Sequence, residues 1–465
     1  MSDAYSVFRR HGDVIKWCTP SILPEVLALD ADACEGSIVL TQSGDLLTNS
    51  GYFRTLHESA ARAYGNSGHS HYCCEGTTGS NRVLFRLLRS IMKNDEEVLA
   101  TRNVHQSVVE NARSRRVPLR YMRTRYDSDA EIFLPPEEQD VLDGLTDKTR
   151  VVLLSTPTYE GYSCDVRSIV DKVRARNPDI LVYVDEAWGA HLAFHPDLPD
   201  SGTQAGADFV VQSIHKHGGA PNPASVMHLG RRATDLYYDE FLRTIGSGVL
   251  ATTYSFPLIA RMDYARSILE QEGQARIDRL FEVAERLRNE VNRGNLSVLG
   301  DRSEYSRDPT KVTVDVRRSG VSGYDVQRKL MERGIAVSNW GQGSVTFLTT
   351  FQLSGDAVVP TVDALRGIVG SSFVDSSVAS VQIPANLEKV VDPWNVVSTR
   401  DVHLEESAGL VLGEDIKCYP PGVFIGQVGE RVSSEFVEFL QSIKGRAKVV
   451  ATDKSLDSLV VADEF

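Results

Sequence analysis

The chain has 465 residues, 50 Lys and Arg against 63 Asp and Glu, and a formal net charge of −13. That acid excess argues against a nucleic-acid binder, which needs a basic face for phosphates, and suits solubility or a small cationic substrate. No run of about 18 apolar residues offers a membrane span, no signal peptide opens the chain, and six cysteines show neither zinc spacing nor a disulfide framework, so a cytoplasmic protein without a metal site is expected.

In chain order, Asn81 to Met92 sets Val83, Leu84, Leu87, Leu88 and Ile91 on one helical face. Val104–Ser114 and Asp165–Asn177 read as further helices, the second ending before Pro178. Between them lie four short apolar runs, Glu97–Ala100, Val151–Leu154, Ile180–Val184 and Phe209–Val211. Continuous β-branched runs of this length fit strands buried on both faces of a parallel sheet. The alternation predicts a doubly wound α/β domain with its ligand outside the carboxyl ends of the strands. A charged helical stretch, Arg261–Arg293, leads out of it, and Lys311–Val316, Ile335–Ser338 and Val345–Leu348 suggest a smaller α+β unit. Gln382–Asn386 and Asp392–Trp394 read as linker; a last segment carries Tyr419–Gly422 and a helix around Glu435–Ile443. The expected division is an N-terminal segment 1–58, a large domain 59–270, a small α+β domain 271–382 and a C-terminal domain 383–465.

Three pieces at strand ends carry the chemistry. Glu75-Gly-Thr-Thr-Gly-Ser-Asn81 opens a helix, where backbone N–H groups, hydroxyls and the positive dipole end suit a phosphate; alone it would read as a capped glycine turn. Val182-Tyr-Val-Asp-Glu-Ala-Trp-Gly-Ala190 puts Asp185 directly after a strand, where a carboxylate keeps a pyridine nitrogen protonated, although a helix cap or magnesium ligand would look the same. Gln212-Ser-Ile-His-Lys-His217 puts Lys216 after the next strand, where burial and neighbouring cations favour the neutral amine that a Schiff base needs. Taken together the three are the parts of a pyridoxal 5′-phosphate site.

The set resembles the fold type I pyridoxal-phosphate enzymes and, within them, the Orn/Lys/Arg decarboxylase family. The similar text includes Arg102–Ser107, Ser155–Gly161, Val184–His191, Ala205–Lys216, Ser225–Leu229, Thr252–Asp263, Val402–Gly409 and Tyr419–Gly422, covering about Ser59 to the C-terminus. The resemblance implies that Lys216 carries the cofactor as a Schiff base, Asp185 pairs with the ring nitrogen, and His105 and Ala187 lie on its two faces. It gives the phosphate to Thr77, Thr78, Ser213 and His215, with Lys216 or His215 protonating Cα. Thr252 or Thr253 would reach the phosphate of a second subunit, so a homodimer or higher oligomer is expected.

The chain departs from the family in lacking an N-terminal Pro-Gly-His-Lys motif and in following the lysine with His217-Gly-Gly-Ala-Pro-Asn-Pro223. An added histidine there is either an acid or base near the site or a loop residue facing solvent. The expected reaction is decarboxylation of arginine, ornithine or lysine to the amine; the alternatives are oxidation, elimination or transamination of a similar substrate, or a non-catalytic binding relative. Ala336–Thr350 contains no Arg to clamp a substrate carboxylate, which favours carboxylate loss. For the cationic side chain, Glu160 and Glu430 are the candidate acidic partners, unless they are solvated loop carboxylates.

Overall fold

The computed structural model describes residues 14–34, 44–127, 130, 132–292, 296–370, 386–419, 423–444 and 448–465. Its centre is a seven-stranded sheet in the order His69–Cys73, Ser225–Leu229, Phe209–Gln212, Leu181–Asp185, Thr149–Ser155, Glu97–Ala100, Leu119–Tyr121. The last five strands run parallel, and Ser225–Leu229 pairs antiparallel with both neighbours. All four apolar runs are strands, adjacent in the sheet. The Asp185 and Lys216 strands are buried along their whole length.

Helices cover both faces. Gly76–Ile91, Gln106–Ser114 and Arg231–Thr244 bury Leu84, Leu88, Val108 and Phe241 against Leu153 and Tyr183. On the other face Val166–Arg176 buries Ile169, Val170 and Val173 against Val152 and Val182. Each such side chain contributes roughly 1.5–3 kcal/mol by leaving water. Asp165 caps this helix, accepting the Ser168 N–H at 2.9 Å, and the chain leaves it just before Pro178.

The charged stretch read as Arg261–Arg293 is one helix, Phe256–Asn292, of 37 residues. Its first half packs Leu258, Met262 and Leu269 near Phe53 and Leu56; its last turns give Ala284, Leu287 and Val291 to the core of the smaller unit. That unit holds a four-stranded antiparallel sheet, Ser297–Val298, Lys311–Asp315, Ser344–Leu348 and Asn339–Trp340. The expected strand at Ile335 pairs elsewhere, in parallel with Ile15–Trp17. Trp17 then enters the same core, edge-on to Phe347 with ring centroids 5.9 Å apart, its indole N–H donating to Thr361 Oγ1 at 2.9 Å.

In the C-terminal unit Ser398–His403 pairs with Ser458–Glu464, and Ile416–Tyr419 lies between Val423–Gly426 and Lys448–Val450, covered by helix Ser434–Ile443. Pro420–Gly422 and the expected linker at Gln382–Ala385 lie outside the described residues. The unit is joined to the large sheet through Arg102, whose guanidinium binds both oxygens of Glu430 at 2.5 and 2.8 Å and donates from Nε to the Phe424 carbonyl at 2.8 Å.

Candidate active site

The candidate residues gather at the carboxyl ends of the parallel strands and at the start of helix Gly76–Ile91. Gly76 starts its helix with φ +63°, a conformation that glycine takes without strain. Its N–H donates to the Pro223 carbonyl at 2.7 Å, which ties the helix start to the loop after Lys216. Thr77 Oγ1 lies 2.9 Å from Ser213 Oγ, so two expected phosphate residues from distant parts of the chain are adjacent. Thr78 is exposed beside them. His215 Nδ1 lies 2.7 Å from the Ala224 carbonyl and therefore carries its proton there, leaving Nε2 free of it. Burial pulls the His215 imidazole down to about 4, which keeps it neutral.

Asp185 ends its strand buried. Its Oδ2 accepts from Asn81 Nδ2 at 3.3 Å and its Oδ1 from the Ala187 N–H at 3.3 Å. Asn81 is itself held by Tyr183 and by Ser107 Oγ at 2.9 Å. His105 caps helix Gln106–Ser114, its Nδ1 taking the Ser107 N–H at 3.2 Å, and it stays exposed. Behind Asp185, Glu186 accepts from Ser201 Oγ, Gly202 N–H and Gln212 Nε2.

Lys216 sits in the short helix Ile214–His217, with Nζ 4.4 Å from the centre of the Trp188 ring. Burial pulls its pKa down to about 8; Asp185 opposes that shift and Lys311 adds to it. Lys311 comes from the smaller unit, is buried, and places Nζ 5.3 Å from the same indole. Its nearest partners are Asp308 Oδ2 and the Thr158 carbonyl, both at 3.4 Å. Neither Lys311, Asp308 nor Trp188 was singled out from the sequence. Lys311 and Asp308 lie far along the chain from the motifs, and Trp188 was read only as part of the Asp185 motif.

Other expectations meet mixed outcomes. His217 is fully buried, not a solvent-facing loop residue, because the helix turns it into a core with His191 and Phe351. Burial holds its imidazole well below the ordinary histidine range. Glu160 is also buried; burial raises its carboxyl pKa against nearby donors and the Lys311 cation, and Asn339 Nδ2 lies 3.4 Å from Oε1. Glu430 is no solvated carboxylate either, but both of its oxygens are taken by Arg102. Thr252 and Thr253 are exposed, and the adjacent Ala251 N–H donates to Glu75 Oε1 at 2.6 Å, so their loop is pinned beside the phosphate cradle.

Paired hydroxyls at a helix start, a buried carboxylate with two donors and a lysine with a lowered pKa fit pyridoxal 5′-phosphate. The geometry defines a fold type I pyridoxal-phosphate enzyme. The chain belongs to the Orn/Lys/Arg decarboxylase family, whose major domain matches residues 27–301. It is 28% identical over 414 residues to the arginine decarboxylase of Bacillus anthracis, covering 85% of this chain and 82% of that one. The constitutive lysine decarboxylase of Escherichia coli shares the fold with a TM-score of 0.76 at 18% identity, over 99% of this chain and 81% of that chain. A NifS-like protein matches 77% of this chain and 99% of its own with a TM-score of 0.58 at 16% identity, which shows the common fold.

Proposed function

We propose that this protein removes the α-carboxylate of a basic amino acid, arginine, ornithine or lysine, to give the corresponding amine, with pyridoxal 5′-phosphate as cofactor. The observation that carries the reading is Lys216, its Nζ over the Trp188 ring and its pKa pulled down by burial to about 8, in a chain that belongs to a family of decarboxylases. The bound cofactor supplies an electron sink for the pair released at Cα. Asp185, fixed by Asn81 and the Ala187 N–H, would hold the ring-nitrogen proton. Thr77, Thr78, Ser213 and His215 would take the phosphate, and His105 and Ala187 would confine the ring. Lys216 would give up its bond to the cofactor to the substrate's α-amine, keep its own amine free as a base, and return a proton to Cα, with His215 as the neighbouring proton carrier. Glu160 is the favoured partner of the cationic side chain: it is buried, and Arg102 does not occupy it as it does Glu430.

Thr252 and Thr253 point the reading to a dimer in which each subunit completes its partner's phosphate site; light scattering of the active enzyme should find no active monomer. None of the described helices is long and apolar enough to cross a membrane, and six free thiols suit a reducing cytoplasm.

The test is isotopic. Carboxyl-labelled arginine, ornithine and lysine should each be offered to the purified holoenzyme without oxygen. Labelled CO₂ and the matching amine are expected from at least one. A requirement for oxygen, with the label kept in a keto acid, overturns the reading in favour of oxidation.

A further inference from the structure

His191, His217 and Asp308 come from three separate elements and converge behind the lysine helix. His191 follows the Asp185 strand, His217 ends helix Ile214–His217, and Asp308 precedes the strand Lys311–Asp315. All three are fully buried, and their ligand-type atoms lie within 4.8 Å of one another. The two imidazoles have centroids 4.0 Å apart, and His191 Nε2 is 3.1 Å from Asp308 Oδ2. None of the four ring nitrogens makes an aligned hydrogen bond, and neither does Asp308 Oδ2. Asp308 Oδ1, by contrast, accepts from Thr310 N and Oγ1 at 3.0 and 2.6 Å, which aims Oδ2 at the histidines. His191 Nε2 and the Lys311 ammonium face Asp308 Oδ2, but His191 Nδ1 and both His217 nitrogens have no aligned partner, and buried polar atoms left so are costly enough to call for a common ligand.

We propose that His191, His217 and Asp308 bind one divalent transition-metal cation of the Zn²⁺ type. Two imidazoles and one carboxylate are a ligand set for such ions, and three ligands leave coordination positions open. Lys311 is the built-in competitor, since its ammonium is 3.4 Å from Asp308 Oδ2. A cation in the site displaces it toward the Thr158 carbonyl and the Glu160 carboxylate, which already acts on it. A second buried cluster, His57, His69 and His71, has the same compactness without the same chemistry. There His57 bonds to Asn49 Oδ1 at 2.7 Å and takes the Tyr72 N–H at 3.2 Å, and His69 Nε2 meets His71 Nδ1 at 3.3 Å, so most lone pairs are engaged.

The test uses untagged, chelator-treated holoenzyme titrated with Zn²⁺ by calorimetry, and with Co²⁺ read through its visible ligand-field bands. One equivalent per chain is expected. His217→Leu and Asp308→Asn should weaken binding roughly 10²-fold or more, while Lys311→Met should tighten it about tenfold. The Co²⁺ bands of the wild type report direct nitrogen and carboxylate coordination even where a ligand variant fails to fold. Absence of stoichiometric binding in both wild type and Lys311→Met overturns the site, as does Zn²⁺ affinity unchanged by His217→Leu in a folded, cofactor-loaded protein.

Discussion

The two sides of the site, its cofactor wall and the other, are made of different material. The cofactor wall is built at the ends of neighbouring strands and at one helix start, and its polar groups satisfy one another: Thr77 with Ser213, Asn81 with Asp185, His215 with Ala224. The other draws Trp188 and Glu160 from loops, His217 from the end of the lysine helix, and Asp308 and Lys311 from the smaller unit, and it crowds charges in low dielectric with few aligned bonds. The first wall is preorganised for one group of fixed shape. The second holds one buried cation, Lys311, between two buried carboxylates, Asp308 and Glu160. Lys216 lies between them, with Asp185 raising its pKa and Lys311 lowering it.

The largest effects should come from breaking the first wall. Lys216→Ala is expected to abolish turnover and the visible absorption of the cofactor–lysine linkage while leaving the melting curve in place; an unchanged spectrum would remove Lys216 from its role. Asp185→Ala should retain cofactor yet lose roughly 10²–10³-fold in kcat, since one electrostatic contact to developing charge is commonly worth about 3–4 kcal/mol. Activity within tenfold of wild type would assign the ring nitrogen another partner.

Most of that wall was readable in the sequence, because its residues are coded by position: small and hydroxyl residues at a helix start, an acid after one apolar strand, a lysine after the next. The parallel core strands were readable for the same reason, each being a continuous run. The edge strand His69–Cys73 was not, since His-Ser-His-Tyr-Cys has no apolar run and is buried by its polar contacts, such as Ser70 Oγ to His228 Nδ1 at 2.7 Å. Nor was the pairing of Ile15–Trp17 with Ile335–Val337, a contact between segments far apart in the chain that periodicity does not encode. His217, Asp308 and Lys311 share that difficulty: their roles depend on a tertiary meeting of segments far apart in sequence.

Next in size is the seam behind the cofactor wall. The buried Arg102–Glu430 pair holds the C-terminal unit to the strand end that leads to His105. Removing one partner of such a pair costs about 3–5 kcal/mol because it strands a buried charge. Glu430→Ala should therefore lower the melting temperature markedly, and adding Arg102→Met should restore part of the loss. A Glu430→Ala protein as stable as wild type, with KM for a cationic substrate sharply raised, would return Glu430 to the substrate site. Glu160→Gln tests the second wall directly. A hydrogen bond to a charged group is worth about 1.5–3 kcal/mol, so KM for the preferred basic amino acid should rise roughly 10–100-fold, with kcat changed less. A fall confined to kcat would place Glu160 with the reacting atoms instead.

The smallest effect separates the walls by pH. Glu186 follows Asp185 in the chain, and burial raises its pKa to about 7, with the Asp185 charge adding to the rise and the Ser201, Gln212 and Gly202 donors opposing it. That folded-state value lies above the ordinary value of 4.5. Between the two, the folded chain keeps a proton that the unfolded chain has released, so folding is favoured by proton uptake. The contribution is present in full below about pH 4.5 and is lost as pH rises through about 7. Its slope is at most about 1.4 kcal/mol per pH unit, and in a chain of this length it moves the melting temperature by about 2 °C or less per unit. Glu186→Gln cannot release that proton, so its melting temperature should gain on wild type from pH 5 to pH 8. Parallel profiles would show that the Ser201, Gly202 and Gln212 donors already hold Glu186 ionised.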